Sequence, residues 1–261
     1  MEIKGKYDSI VNPVKGKHPP FVGEIAVMVS IERDLKTLCK NLDFVETDYK
    51  NIMMSRLYTD NVNANGASII GPVVGASYAT ILLETMIVWG AKKIIFVGCC
   101  GAVSSNVNIG DIIIVKGSII DEGVSAHYKM NKPEVMASYN SFNNDDICMS
   151  YPSAKLSDTL KNAFNRKRIF FREGVIWTTD ALFRETPEKV VYYQTKHVSA
   201  VEMETSALFS VAAFRCAEIA AVLVVSDDLS DYTWRTGFND KVFKKSCKDV
   251  CEVISGLCKT I

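Results

Sequence analysis

The sequence predicts an α/β layered fold around a largely buried, mostly parallel or mixed sheet. Strand-like and helix-like segments alternate nearly throughout its 261 residues, and the strands read as short apolar runs bounded by turn formers. Composition agrees: 48% hydrophobic and 23% charged residues are globular proportions, which excludes disorder and a collagen-like repeat. A chain of this length makes one large domain or two small ones. No internal repeat, low-complexity tract or linker interrupts it, so one domain over 1–261 is expected, with residues 1–20 as an extended arm.

The elements follow in order. Residues 24–30 form a short apolar strand and 33–42 a helix-like stretch. Residues 51–59 and 67–74 read as strands, separated by the turn formers Asn63-Ala64-Asn65-Gly66. A mostly apolar helix over 77–89 is closed by Gly90, a common helix stop. The β-rich burst 93–98 leads into a small-residue turn, Gly98-Cys99-Cys100-Gly101-Ala102, and 111–120 is a further strand. Residues 131–152 read as a long loop or lid. Helix 154–166, strand 173–177, helices 187–194 and 204–216, buried strand 220–226 and a closing amphipathic helix over 239–259 complete the chain. In that last helix Cys247, Cys251 and Cys258 share a spacing with Val250, Ile254 and Leu257, which predicts one buried face.

Several functions are excluded. Lys plus Arg and Asp plus Glu number 30 each, a formal net charge of zero, whereas a protein neutralising many phosphates carries a basic excess; nucleic acid is not an expected partner. No apolar run reaches the ~18–20 residues of a membrane span, and the longest candidate stops at Ser226-Asp227-Asp228. The charged start lacks the apolar core of a secretion signal, so the expected location is the cytoplasm. Eight cysteines without paired Cys-x-x-Cys motifs, and three His, argue against a metal site and fit a reducing compartment.

In open α/β sheets ligands sit at the carboxyl ends of strands, which directs attention to Gly98–Ala102, Trp177–Asp180 and Ser226–Asp228, and a carboxylate pair that opens the helix over 204–216 adds a fourth segment. Gly98 to Ala102 could expose successive N–H groups as an anion-accepting nest, or simply be a tight turn. Val201-Glu202-Met203-Glu204 places two carboxylates before a helix. One could cap that helix, and one could accept hydrogen bonds from two adjacent hydroxyls, as in ribose. Asp227, at the mouth of a buried strand beside Ser226, is a candidate proton donor or a loop cap. Trp177, leaving a strand beside Thr178 and Thr179, could stack on a planar ring or belong to the core.

Together these segments resemble the nucleoside phosphorylase and nucleosidase superfamily. Its motifs stand here in the family's order: Gly75 with its helix, Gly98-Cys99-Cys100-Gly101-Ala102, Gly110-Asp111, Asp121-Glu122-Gly123-Val124-Ser125-Ala126-His127-Tyr128, Gly174 to Asp180, Val201-Glu202-Met203-Glu204 and Ser226-Asp227. The resemblance covers residues 20–260 and implies a mixed, partly barrel-like sheet flanked by helices, assembled as a homo-oligomer of two, three or six copies. It implies ribose binding by Glu204 and Met203, base binding by Trp177 and Ser226, and protonation of a departing purine by Asp227. It implies no cofactor, with a nucleoside as substrate and inorganic phosphate as co-substrate.

The acceptor side departs from the family. Phe96 and Cys99 stand where phosphorylases carry Arg and a hydroxyl residue around Gly98, and Ser30-Ile31-Glu32-Arg33-Asp34 replaces a Gly-Asp-Pro segment followed by Arg. In ungapped alignment Asp34 falls on the nucleosidases' water-activating Glu; Arg33 is an alternative phosphate ligand, and Arg56 fits the arginine lent across a subunit interface. The Asp121 to Tyr128 segment is closest to uridine phosphorylases and AMP nucleosidases, yet the pair that reads uracil is absent from Ala181-Leu182-Phe183-Arg184-Glu185-Thr186, and the base reads as a purine through Asp227. The expectation is a pentosyltransferase releasing base and ribose 1-phosphate, with a water-using nucleosidase and a non-catalytic nucleoside-binding relative as alternatives.

Overall fold

Strands β1 (Ile25–Val29), β4 (Ser68–Gly71) and β5 (Lys93–Ala102) form a parallel set, β4–β1–β5, and carry the Val/Ile-rich runs expected of strands covered on both faces. This is a computed structural model, and it describes residues 9–60, 66–128 and 147–260. The sheet extends outward from β4 through a hairpin of β3 (Ser55–Tyr58) and β2 (Lys50–Ile52). Inward, β5 joins β10 (Glu218–Asp228), β10 joins β6 (Ile112–Asp121), β6 joins β8 (Arg172–Thr179) and β8 joins β9 (Val198–Glu202). Because β9 returns to pair with the end of β5, these five strands close into a barrel. Two short strands, β7 (Met149–Ser150) on β6 and β11 (Arg235–Thr236) on β10, complete the mixed sheet.

Helices cover the faces. On one side α2 (Ala76–Trp89) and α6 (Thr205–Phe214) pack over Met28, Ile94, Phe96 and Cys100. On the other, α1 (Glu32–Asn41), α4 (Ala154–Lys167) and α7 (Lys241–Cys258) pack over Val27, Ile95 and Val97. The alternation along β5 has the two-residue period of a strand. A third cluster under α5 (Pro187–Thr195) contains Trp177, Tyr193, Val190, Val201 and Leu229. The buried face predicted for the last helix is present, with Cys247, Val250, Cys251, Ile254, Leu257 and Cys258 all buried. The short α3 (Ser125–Tyr128) opens on the Asp121 to Tyr128 motif.

Two expectations change. The stretch Gly98–Ala102 is no turn: β5 runs straight through it, because β10 pairs with it residue by residue up to Ala102. Residues 51–59 are a hairpin folded at Met53-Met54 rather than one strand. Most of the proposed lid, 129–146, and the turn residues 63–65 lie outside the described residues. Residues 9–20 hold no helix or strand, and the Trp89 indole donates to the Lys15 carbonyl at 3.2 Å.

Candidate active site

The site arises from a change of partner along β5. Its residues Lys93–Val97 pair with β1, and Gly101 and Ala102 pair with β9 on that same side. Between them no strand of the described residues takes the edge of Gly98, Cys99 and Cys100. A backbone edge left unpaired at the carboxyl end of a central strand is a natural ligand mouth.

At one end of this mouth stand the two glutamates. Glu202, the last residue of β9, is buried and fully used: Thr178 Oγ1 and Thr205 Oγ1 donate to its Oε1 at 2.6 and 2.7 Å, and the Glu204 and Thr205 N–H groups donate to its Oε2 at 2.7 and 2.8 Å. It therefore caps α6 and satisfies the helix's first orphan donors. Glu204, also buried, makes no cap bond; its Oε1 accepts from the Gly75 N–H at 2.5 Å. That N–H is available because Gly75 takes φ +84° at the start of α2, a conformation that favours glycine. Burial pushes the Glu204 carboxyl well above the usual range, and the Glu202 charge raises it further against the Gly75 N–H. Burial likewise raises Glu202, opposed by its four donors. Met203 lies half-buried between the two.

The second acid pair divides in the same way. Asp228 accepts from the Ser230 N–H at 2.8 Å and pairs with Arg235 at 2.6 Å, and the hydrogen bonds hold its carboxyl below the usual range despite burial. Asp227 follows a bulge in β10 at Ser226, which turns its side chain toward Gly101. Buried Ser226 Oγ donates to Asp227 Oδ1 at 2.6 Å, and Trp234 Nε1 donates to Oδ2 at 2.9 Å. A Cβ on Gly101 would stand 2.9 Å from Asp227 Oδ2, so this glycine makes room for the carboxylate. Register sets Val201, Gly101 and Asp227 in one row across three strands. Two strand spacings, about 10 Å, therefore separate the backbones that carry the glutamate pair and Asp227.

The acceptor end is different in kind. Phe96 is wholly buried, its ring filling the space a side chain at Gly98 would need, so no cation stands there. Ser30 follows β1, its N–H donating to the Val97 carbonyl at 3.0 Å. Arg33, on α1, donates from Nε to Asp34 Oδ1 at 3.1 Å, with its guanidinium 5.0 Å from the Phe243 ring centroid. Three buried side-chain polar atoms among the described residues lack a hydrogen-bond partner, and two are Ser30 Oγ and Arg33 Nη2. Burial raises the Asp34 carboxyl, against the pull of Arg33. Burial also raises the Cys99 thiol well above its ordinary value, with Cys247 and Asp34 adding to the shift, so Cys99 is a neutral neighbour and no thiolate. Arg56 pairs with Glu32 of its own chain.

Trp177 is placed inside the protein. Its indole stacks on Tyr193 with centroids 4.2 Å apart, donates to Asp121 Oδ2 at 2.9 Å and has no exposed surface. The indole beside Asp227 is Trp234, which sequence reasoning passed over; its only signal was an aromatic seven residues beyond that acid. Gly75 was visible as a motif but not as the donor that fixes Glu204.

The family model described as the phosphorylase superfamily matches residues 24–259. The chain belongs to this superfamily. It is 30% identical over 177 residues to the DeoD-type purine nucleoside phosphorylase of Oceanobacillus iheyensis, covering 66% of this chain and 68% of that one. Among solved structures, a futalosine hydrolase mutant of Helicobacter pylori superimposes with a TM-score of 0.71 at 17% identity, over 92% of this chain and all of that one (100%). The methylthioadenosine/S-adenosylhomocysteine nucleosidase of Campylobacter jejuni gives 0.71 at 18% identity, over 92% and 100%. The phosphorylase-superfamily barrel is thus the fold of both phosphorolytic and hydrolytic proteins, and no helix among the described residues is long and apolar enough to cross a membrane.

Proposed function

We propose that the chain cleaves the N-glycosidic bond of a purine nucleoside and transfers the sugar to phosphate, releasing free base and ribose 1-phosphate. The observation that carries the cleavage is the parallel division of the two acid pairs. Glu202 and Asp228 are consumed in structural hydrogen bonds, which leaves Glu204 and Asp227, carried on backbones about two strand spacings apart, as the acids we assign to one nucleoside. Glu204 accepts from the two sugar hydroxyls, with Met203 against the ring, and this fixes the sugar as it gains cation character. Asp227, held by Ser226 and Trp234, shares its proton with the base as the C–N electron pair leaves with it.

Phosphate is the proposed acceptor because Arg33 Nη2 and Ser30 Oγ are buried donors without partners beside the open edge of Gly98–Cys100. An unmet buried donor is costly, and an anion satisfies both. One phosphate oxygen bonds to the sugar's anomeric carbon as the bond to the base breaks, so charge and atoms balance. The resemblance to a named purine nucleoside phosphorylase supports the same choice of base and acceptor. Hydrolysis is the second reading, and one observation favours it: Asp34 is a buried carboxyl with a raised affinity for protons, as a group that takes a proton from water would need. The absence of a cation at Phe96 fits it too. We propose further that the protein is a cytoplasmic homo-oligomer, to which Arg56 contributes near an interface. Sedimentation of the purified protein tests assembly. Product analysis with and without phosphate tests the acceptor: ribose 1-phosphate formed only with phosphate supports phosphorolysis, and free ribose formed without phosphate rejects it.

A further inference from the structure

At the end of β9 away from Glu202 lies a cavity of about 650 Å³. It is lined where β8 and β9 begin, at Arg172 and Val198, whereas Glu202 closes β9 about 13 Å further along the strand. Sites for small molecules run to roughly 300–1,000 Å³ and are mostly apolar. This one has the volume but not the wall. Hydroxyls and amides from Ser104, Ser105, Asn106, Gln194, Ser199 and Ser230 dominate it, and no Phe, Tyr or Trp is among its described lining residues. A heterocyclic base would find no ring to stack on there. A polar ligand fits better, because hydroxyls and amides covered without partners cost free energy.

The charged groups leave a positive centre. Arg172 spends Nε on Asp111 Oδ2 at 2.8 Å, and its Nη groups make no hydrogen bond among the described residues. Glu173 is the one carboxyl of the lining, and Lys161 of α4 draws it off, with Nζ 3.3 Å from Oε2. His197 takes φ +57° just beyond α5 and lines the same cavity; its imidazole, the Ser105 hydroxyl and the Asn106 side-chain amide make no hydrogen bond among the described residues. A guanidinium with open Nη groups matches a phosphate in two-pronged fashion. Hydroxyls and a primary amide both donate and accept, which is what the hydroxyls of a sugar require.

We propose that this cavity binds a phosphorylated sugar, with the phosphate on Arg172 and His197 and the hydroxyls on Ser105, Asn106 and Ser230, and that its occupation reaches Asp227 through the loop after β10. The link is a chain of hydrogen bonds. Gln194 Nε2 donates to the Val103 and Ser230 carbonyls at 2.9 and 2.8 Å, and its Oε1 accepts from the Tyr232 hydroxyl at 3.3 Å. From the same loop the Ser230 N–H donates to Asp228 Oδ1 at 2.8 Å and the Trp234 indole to Asp227 Oδ2 at 2.9 Å. A ligand that engages Ser230 therefore acts on the segment that holds the acid assigned to the base. An effect of this kind needs the ligand to favour one arrangement of the loop over another. The binding claim stands apart from the nucleoside-cleaving reading, and the effect on turnover rests on it.

The test is isothermal calorimetry with ribose 5-phosphate and with ribose, on the unmodified protein, Arg172→Met, His197→Gly and Glu204→Ala. Glycine suits the left-handed backbone at 197, so that variant remains informative if loss of the Arg172 to Asp111 pair unsettles the other. We expect ribose 5-phosphate to bind about tenfold or more tightly than ribose, the scale of a charged hydrogen-bond partner. Its affinity should fall by about as much in Arg172→Met, by a few-fold in His197→Gly, and not in Glu204→Ala. In nucleoside cleavage, saturating ribose 5-phosphate should change kcat in the unmodified protein and leave kcat of Arg172→Met where it is. Binding that is lost in Glu204→Ala and kept in the other two variants places the sugar phosphate in the nucleoside mouth and overturns the proposal, as does no binding at millimolar concentration. Binding of the expected pattern with an unchanged kcat overturns the link to Asp227. Binding of that pattern in a protein that cleaves no nucleoside supports the site and sinks the nucleoside reading instead.

Discussion

The two ends of the mouth differ in how they separate stability from chemistry. At the sugar and base end each acid has a neighbour that does the structural work: Glu202 caps α6 with four hydrogen bonds while Glu204 reaches Gly75, and Asp228 ties the loop after β10 while Asp227 meets Ser226 and Trp234. At the acceptor end one side chain does both. Arg33 holds Asp34 with Nε and leaves Nη2 without a partner, and the same patch is packed against Phe243 of α7. Function at the first end can therefore be removed with little damage to the fold, whereas changes at the second alter packing and binding together.

The strongest way to break this contrast is Asp227→Asn. If Asp227 carries the proton to the base, kcat should drop by about 10²–10⁴, the usual worth of a positioned acid, while the melting temperature barely moves. A matching loss of stability would show that Asp227 is structural after all. Glu204→Ala comes next: loss of a charged partner for the sugar hydroxyls costs about 1.5–3 kcal/mol, roughly a 10- to 150-fold rise in KM for ribosides. Ligands lacking both hydroxyls should bind the unmodified protein as poorly as ribosides bind the variant, which calorimetry can read.

Arg33→Met sharpens the other end. It should raise the KM for phosphate at least tenfold and also lower the melting temperature, since Asp34 is left buried without its partner. A variant with unchanged phosphate dependence would place the acceptor elsewhere. A smaller effect concerns pH. Because Glu204 binds its proton more tightly folded than unfolded, stability falls as pH rises above the unfolded carboxylate value of about 4.3 and toward the raised folded one. Glu204→Gln should remove that fall and, above it, stabilise the empty protein; each 1 kcal/mol is worth about 2–4 °C at this length. Urea denaturation at pH 5 and pH 8 checks the sign. The smallest effect is Cys99→Ser, where a stronger hydroxyl donor beside the open edge should lower the phosphate KM by a few-fold.

Much of this was legible in the chain. Alternating apolar runs and helical spacings located most strands and the long helices, though β9, which closes the barrel, was not read, and the cysteines of α7 fell on the buried face their spacing indicated. Two errors share one cause. Small residues at 98–102 look like a turn, and 51–59 looks like one strand, because local propensity cannot see a neighbouring strand. Pairing with β10 keeps Gly98–Ala102 extended, and pairing with β4 folds the hairpin. At the site, the residue types were readable but not the division of labour. Nothing in Glu202-Met203-Glu204 says which carboxylate caps α6; that is decided by Thr178, which arrives from β8 to bind Glu202. Trp177 and Trp234 exchange expected surroundings for a similar reason, since only the packing of α5 through Tyr193 makes the first a core residue.

The central claim is that Glu204 and Asp227 hold opposite ends of one nucleoside. A crystal structure of the protein soaked with a slowly cleaved purine nucleoside and phosphate tests it most directly. The expected result is density with the sugar diol on Glu204, the imidazole edge of the purine on Asp227 and the anion beside Arg33 and Ser30. A nucleoside bound away from this mouth, or reaching one of the two acids and not the other, would contradict it.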